Sequence, residues 1–363
     1  MKALVYGGPG QKSWTEKADP VIEKPTDAIV RVTHTTICGT DLHILKGDVP
    51  AMTPGRVIGH ESAGVVVETG SAMRNFKKGD RVMMSCITSC GSCPNCKRQM
   101  YSHCADGGWI LGHLIDGVQA EYVRIPHADN SMYSIPVGAR PAACVLLTDI
   151  IPTGFEIGVL NGQVSPGDTV AIVGAGPVGM AALLTAQFYA PGRIIMIDLD
   201  ANRLEVAKGF GATDTICAAG AQAIEQVMAL TNGLGVDVAI EAVGIPATFD
   251  VCQSILAPGG RLANVGVHGS SVNLHMENLW IQNITITAGL VNTNTIPMLL
   301  KAMQSGKIDP MRLITHRFQF SQFQEAYDVF ANAAKEKSLK VILTADDMPL
   351  PQGSSGWGRV GLR

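Results

Sequence analysis

The stretch "VAIVGAGPVG", residues 170–179, constrains this chain more than any other. Gly174, Gly176 and Gly179 follow an apolar strand and open an apolar helix, with Pro177 and Val178 set among them. Only glycine lets a backbone turn this tightly and approach a pyrophosphate, whose charge the helix N-terminal amides then receive. About 20 residues further on, the distance at which a nucleotide-binding acid stands, "RIIMIDLD" reads as a second strand ending in Asp198. Glycines alone would make only a tight strand-to-helix turn, and Asp198 alone only a cap. Together they describe a dinucleotide site, with Asp198 on the adenosine ribose, Asp200 as its competitor and Arg203 placed to stack on adenine. A carboxylate there repels the extra 2′-phosphate of NADP, so the expected cofactor is NAD.

The rest of the chain sorts around that unit. From residue 151 to 294 buried strands ("VDVAIEAVG", "GRLANVG", "ITITAGL") alternate with helical runs, the pattern of a doubly wound parallel sheet in the α/β class. Residues 1–150 instead carry short β-rich runs ("AIVRVTHTTI", "AGVVVETG", "DRVMMSC", "QAEYVRIP") broken by Gly, Pro and Asp, which predicts a separate mostly-β domain with few helices. In 295–345, "IPMLLKAMQSGKI" and "FQEAYDVFANAAKEK" read as amphipathic helices and "SLKVILTA" as a strand that returns to the first domain. The stretch 346–363 has no periodicity and is expected to be a flexible tail. At 363 residues, two domains are the natural division.

A formal charge of −3 without a long Lys/Arg run leaves no footprint for nucleic-acid binding. The opening "MKALVYGGPG" lacks the apolar core of a signal peptide, and no uninterrupted apolar run reaches the length of a membrane span. The expected location is the cytoplasm, with no membrane partner.

Four of the nine cysteines crowd into "SCGSCPNCKRQMYSHC": Cys90, Cys93, Cys96 and Cys104, spaced C-x2-C-x2-C-x7-C. Such loops bring four thiolates to about 2.3 Å from one tetrahedral zinc. With every position filled by sulfur, that ion is structural. An open site needs three protein ligands and a free position, and Cys38, His60 and Glu61 in "TICGTDLHILKGDVPAMTPGRVIGHESAG" are competent ligands. Asp149 adds a carboxylate between apolar residues, where a bare charge is costly unless paired or metal-bound. Cys86, Cys144, Cys217 and Cys252 lack partners at telling spacings and are expected to be small buried residues.

With "CGTDLHILKGD", "PGRVIGHESAG", the four-cysteine lobe, "GGWILG", "TDIIPTG" and "VAIVGAGPVG" in order, residues 1–345 resemble the zinc-dependent medium-chain dehydrogenase/reductase superfamily, close to the formaldehyde-dehydrogenase-like alcohol dehydrogenases. The resemblance implies a GroES-like catalytic domain enclosing a Rossmann domain. It implies that Cys38, His60 and Asp149 hold the catalytic zinc, with Glu61 behind or exchanging onto it. Many relatives have cysteine where this chain has Asp149, a change of ligand softness. In the same pattern Thr40 hydrogen-bonds the substrate oxygen, His43 ends a proton relay and Asp41 orients His60. Trp109 lines the substrate pocket, Thr153 approaches the nicotinamide, and Val243, Gly266 and Val267 flank the cofactor. The implied reaction is reversible hydride transfer between a small primary or secondary alcohol and NAD⁺, giving an aldehyde or ketone, in a homotetramer. The neighbouring readings are a polyol or amino-alcohol dehydrogenase, a formaldehyde dehydrogenase or dismutase, and a non-catalytic NAD-binding protein.

Overall fold

The computed structural model of the chain describes residues 1–350. In chain order the strands are β1 (Lys2–Gly8), β2 (Gln11–Glu16), β3 (Ala28–Thr36), β4 (Ser62–Thr69), β5 (Arg81–Met84), β6 (Tyr122–Ile125) and β7 (Met132–Ser134). There follow β8 (Thr169–Val173), β9 (Arg193–Asp198), β10 (Asp214–Cys217), β11 (Val236–Glu241), β12 (Leu256–Asn264), β13 (Thr285–Ala288), β14 (Ile314–Gln319) and β15 (Lys340–Thr344).

Strands β8 to β13 form one parallel sheet in the order β10-β9-β8-β11-β12-β13. Parallel sheets are covered on both faces, so their strands are apolar throughout. Val170 and Ile172 of β8 face a core shared with Met180 and Leu183, while Ala171 and Val173 face another with Val227 and Phe249. The helix Pro177–Ala186 starts at its proline, whose missing N–H would be unpaired there anyway, and all but its first two residues are buried. Asp200 caps the helix Ala201–Phe210 by accepting from the amides of Asn202 and Arg203, and Gly211 ends it at φ +109°. The strand order reverses between β8 and β11, and ligands bind in the crevice outside the carboxyl ends at such a switch point.

A second, mostly antiparallel sheet runs β14-β15-β3-β4-β5-β7, with β6 also paired to β3. β15 pairs with β3 through Ile342↔Thr36, Leu343↔Thr35 and Thr344↔His34. β15 thus lies against β3, the strand that leads to Cys38. Lys2–Glu16 form an antiparallel hairpin, which the sequence reading did not anticipate.

At the start of the stretch expected to be a flexible tail, 346–363, Ser321 donates to Asp346, Arg31 pairs with Asp347 at 3.0 Å, and the Met348 carbonyl accepts from Gln319. The rest of that stretch, from 351, lies outside the described residues. Cys217 is exposed rather than buried, because it sits at the carboxyl end of β10, the first strand in the sheet order; Cys86, Cys144 and Cys252 are buried. Pro141–Leu160 forms a helical run of 20 residues, long and apolar enough to span a bilayer by length and composition; an 18-residue window of it has mean hydropathy 1.6 and is 83% buried inside the protein. It is a core helix, broken at Asp149, whose backbone stands at φ −149° and ψ −71°.

Candidate active site

Cys38, His60, Glu61 and Asp149 come from three separate places in the chain, and each place is shaped locally. Cys38 precedes the helix Gly39–Lys46, where its amide donates to the Asp41 carboxylate at 2.9 Å, and Gly47 closes that helix at φ +89°. His60 follows Gly59, which stands at φ +95°. Asp149 occupies the break in the core helix, 111 residues from Cys38. One ligand-type atom of each of the four residues lies within 4.8 Å of the others. The Asp149 Oδ2 is 3.7 Å from the Cys38 sulfur and 3.1 Å from His60 Nε2, while its Oδ1 accepts from the Thr153 hydroxyl at 2.8 Å.

Behind this cluster lies an ion pair that the sequence reading missed. Lys340 Nζ, at the start of β15, is 2.7 Å from Glu61 Oε1 and donates to the Ile37 carbonyl at 3.0 Å, with both side chains 1% exposed. Removing one partner of a buried pair costs about 3–5 kcal/mol because the other charge is stranded. The only sequence signal for it was a lone lysine opening an apolar strand.

The electrostatics favour a cation at the centre of the cluster. Burial pushes the Cys38 thiol up, and it raises Glu61 to about 7 against the pull of Lys340. Burial also opposes the Asp149 charge, but the contact with His60 outweighs it and sets that carboxyl at about 2. His60 in turn is raised well above its ordinary value, since Asp149 and Cys38 overcome its burial. Two buried atoms of the cluster, His60 Nδ1 and Glu61 Oε2, have no hydrogen-bond partner among the described residues. A thiolate, an imidazole and carboxylates at this spacing are a donor set that suits zinc.

The second cluster is built from Cys90, Cys93, Cys96 and Cys104, whose sulfurs all lie within 4.8 Å of one another. Cys90 and Cys96 are 3.9 Å apart, well beyond the roughly 2.05 Å of a disulfide. The amides of Cys90, Cys93 and Cys96 point at sulfurs of the same set at 3.3, 3.4 and 3.5 Å, which favours thiolates. Four convergent sulfurs with no disulfide among them fit one tetrahedral ion.

At the switch point each glycine has its own constraint. Gly174 stands at φ +105°, and a Cβ on Gly179 would lie 1.8 Å from the Gly174 carbonyl oxygen. At Gly176 a Cβ would meet only the Arg203 guanidinium at 4.0 Å, leaving the space that a diphosphate would fill. Arg203 therefore stands beside this turn as well as near Asp200, 3.9 Å away. Asp198 accepts from the amides of Ala175 at 2.6 Å and Asp200 at 2.8 Å, while its competitor Asp200 is engaged as a helix cap. Opposite, Val243 packs over Gly174, Gly266 presses on Gly244, and Leu199, Val243, Ile245 and Val267 leave apolar surface exposed at the strand ends. Glu241, fully buried, shapes this wall by accepting from the amides of Val243 and Gly244 and from the Thr248 hydroxyl. It was legible only as a carboxylate closing an apolar strand.

A model of the alcohol dehydrogenase GroES-like domain matches residues 24–137, and a zinc-binding dehydrogenase model matches 177–305. An alcohol dehydrogenase of Cupriavidus necator is 35% identical over 92% of this chain and 95% of its own length. A zinc-dependent alcohol dehydrogenase 2 from Streptococcus pneumonia has the same fold with a TM-score of 0.91 and 54% identity, covering 96% of this chain and 99% of that one. The chain belongs to the zinc-dependent alcohol dehydrogenases of the medium-chain dehydrogenase/reductase superfamily. A further relative, the NADP-dependent isopropanol dehydrogenase of Thermoanaerobacter brockii, is 32% identical over 95% of this chain and all of its own.

Within this alcohol dehydrogenase, the other residues singled out from sequence fall at differing distances from the clusters. The Thr40 hydroxyl is 3.7 Å from the Cys38 sulfur, at the edge of the site. His43 lies one helical turn on, half exposed, with Nδ1 2.8 Å from Asp48. Asp41 is buried, its Oδ1 3.6 Å from His60 Nδ1. Trp109 stacks on His113 at 3.9 Å and packs against a small apolar group of Cys86, Ile87, Ile157 and Val291. A surface cavity of about 590 Å³ lies elsewhere, beside Met1, Lys17, Arg56 and Arg124. Its Lys17 and Arg124 are already paired with Asp116 and Glu23, so we assign it no role in the chemistry.

Proposed function

We propose that this dehydrogenase oxidises a small primary or secondary alcohol with NAD⁺, reversibly, within the formaldehyde-dehydrogenase-like branch of its superfamily. The convergence of Cys38, His60, Glu61 and Asp149 at one buried point is the observation that carries the reading. Cys38, His60 and Asp149 would hold zinc, with Glu61 behind them or exchanging onto it, and the four-cysteine lobe would hold a second, structural zinc. Zinc at the open position supplies Lewis-acid polarisation of the substrate oxygen. Thr40 takes the alcohol proton, since a hydroxyl both accepts and donates, and His43 passes it to solvent. Thr153 fixes Asp149, and Trp109 walls the alkyl group. Gly174, Gly176, Pro177, Val178, Gly179, Val243, Gly266 and Val267 would hold the cofactor across the crevice, where its nicotinamide would supply the acceptor for the hydride from the substrate C–H bond. The products are a carbonyl, NADH and one proton.

Asp198 supports NAD over NADP: it stands at the end of β9 where the adenosine ribose would lie, and its like charge opposes a 2′-phosphate. Arg203 lies on the diphosphate side. Replacing Asp198 by Gly should lower kcat/KM with NAD⁺ and raise it with NADP⁺. Paired initial rates with the two cofactors check this, and an unchanged ratio would remove Asp198 from cofactor choice.

We further propose a homo-oligomer. Among the described residues β13 ends the parallel sheet with only β12 beside it, and Met276, Trp280, Ile281, Ile286 and Leu290 are exposed around it. An open edge flanked by apolar side chains suits pairing with its counterpart on a second copy around a two-fold axis. A tetramer would be two such dimers. The free thiols fit a reducing compartment, the cytoplasm.

A further inference from the structure

A buried hydrogen-bonded chain runs from Tyr327 through Gln119 to Asp41, whose carboxylate faces the candidate zinc ligand His60. Tyr327, on the helix Phe323–Ala331, donates its hydroxyl to Gln119 Oε1 at 2.8 Å. Gln119 Nε2 donates to Asp41 Oδ2 at 3.1 Å and to the Thr36 carbonyl at 3.2 Å. Asp41 Oδ2 also accepts from the Cys38 amide at 2.9 Å, which leaves Oδ1 to face His60 Nδ1 at 3.6 Å. Tyr327, Gln119, Asp41 and His60 are 1%, 0%, 1% and 3% exposed. None of these four can exchange its partner for water without opening the core.

The chemistry of the amide makes the chain directional. Gln119 has an acceptor end and a donor end. Two acceptors, the Thr36 carbonyl and the Asp41 carboxylate, require the NH₂ group on their side, so the carbonyl end must meet a donor, and the Tyr327 hydroxyl is that donor. Without the hydroxyl, the amide oxygen is buried with one fewer partner and the orientation of the group is no longer enforced. The contact with the ligand turn is also steric: a Cβ on Gly59, the residue before His60, would come within 2.5 Å of Gln119 Cγ. The amide of Gln119 further bonds the Ile58 carbonyl at 3.0 Å. Gln119 thus touches both the carboxylate that faces the imidazole and the turn that carries it.

We infer that Gln119 and Tyr327 are positioning residues for the zinc site, fixing the Asp41 carboxylate with its free oxygen turned toward the His60 ring, 3.6 Å from Nδ1. The inference rests on the reading that His60 ligates the metal. It couples the C-terminal helix, more than two hundred residues from Gln119, to the geometry of the ligand. Groups that orient a ligating histidine from behind typically change metal affinity about 10–100-fold when removed. Being one bond further out, Gln119 should act near the lower end of that range, and Tyr327 by less.

The experiment uses full-length protein in which the open site is refilled with Co²⁺ after selective removal of its zinc, and follows the visible absorption and the chelator competition of that site. Gln119→Met keeps the length of the side chain but removes both polar ends, and is expected to weaken cobalt about tenfold and shift the absorption bands. Tyr327→Phe keeps the ring, with a smaller loss and a shift in the same direction. In the double variant the losses should not add, because the two act in series. Unaltered cobalt spectra and affinity in both folded variants would overturn the inference. Thermal unfolding of each apoprotein separates general damage: if Gln119→Met does not fold, Tyr327→Phe decides. A wild-type protein that takes up no metal beyond the four-cysteine ion would instead overturn the zinc reading itself.

Discussion

Gly179 shows how little freedom the nucleotide turn leaves to a single residue. A methyl group there would fall 1.8 Å from the Gly174 carbonyl oxygen, so the strand and helix must move apart to admit it. Overpacking of this kind costs about 1–3 kcal/mol. In Gly179→Ala, NADH affinity should drop about tenfold, which corresponds to about 1.4 kcal/mol, and fluorescence titration of NADH measures it directly. Binding at wild-type strength would mean that the diphosphate lies elsewhere. Gly179 was legible because a local spacing carries its meaning. The meeting of Asp149 with Cys38 was not legible from spacing, since 111 residues separate them and only the tertiary fold closes the gap. Lys340, Gln119 and Tyr327 were missed for the same reason: each is an ordinary residue in its own segment and gains a role only from what it touches.

At the scale of elements, the lobe of residues 89–104 has the least support of its own. Its regular structure is a four-residue helix, Pro94–Lys97, and a three-residue turn, Tyr101–His103, too short to persist without an external constraint. A metal on the four sulfurs would be that constraint. Cys96→Ser is expected to lower zinc content by one ion per chain and to open this lobe to limited proteolysis, while NADH still binds. Mass spectrometry of the metal content and of the cleavage sites checks both; full zinc content with an intact lobe would contradict the structural-site reading. The parallel sheet was readable because its strands are continuous apolar runs. The core helix Pro141–Leu160 was not, since Asp149, Pro152, Gly154 and Gly158 interrupt it and its last stretch, Gly154–Leu160, is wound as a π-helix. The exposed face of β2 likewise weakened the signal of the N-terminal hairpin.

At the scale of the molecule, one sheet is made from the middle of the chain and the other from its two flanking parts. The first and last segments share one sheet, so the site and its support draw on both: Cys38 and His60 come from the first, and Lys340, which pairs with Glu61 behind the cluster, from the last. Repeated strands and helices made this division readable, whereas the open edge of β13 is invisible to periodicity. Trp280, 69% exposed, should lie in the contact between copies. Trp280→Asp is therefore expected to shift the protein to a smaller species in sedimentation at micromolar concentration; an unchanged species would place the interface elsewhere. In the proposed function, Asp149 completes an open metal site that drives NAD-dependent alcohol oxidation. The most direct test is the initial rate of NADH formation by zinc-loaded protein over primary and secondary alcohols, polyols and formaldehyde, alongside Asp149→Ala with its NADH affinity measured separately. The account predicts turnover by the wild type and its loss in the variant with NADH binding retained, whereas a variant that still turns over at the wild-type rate would contradict it.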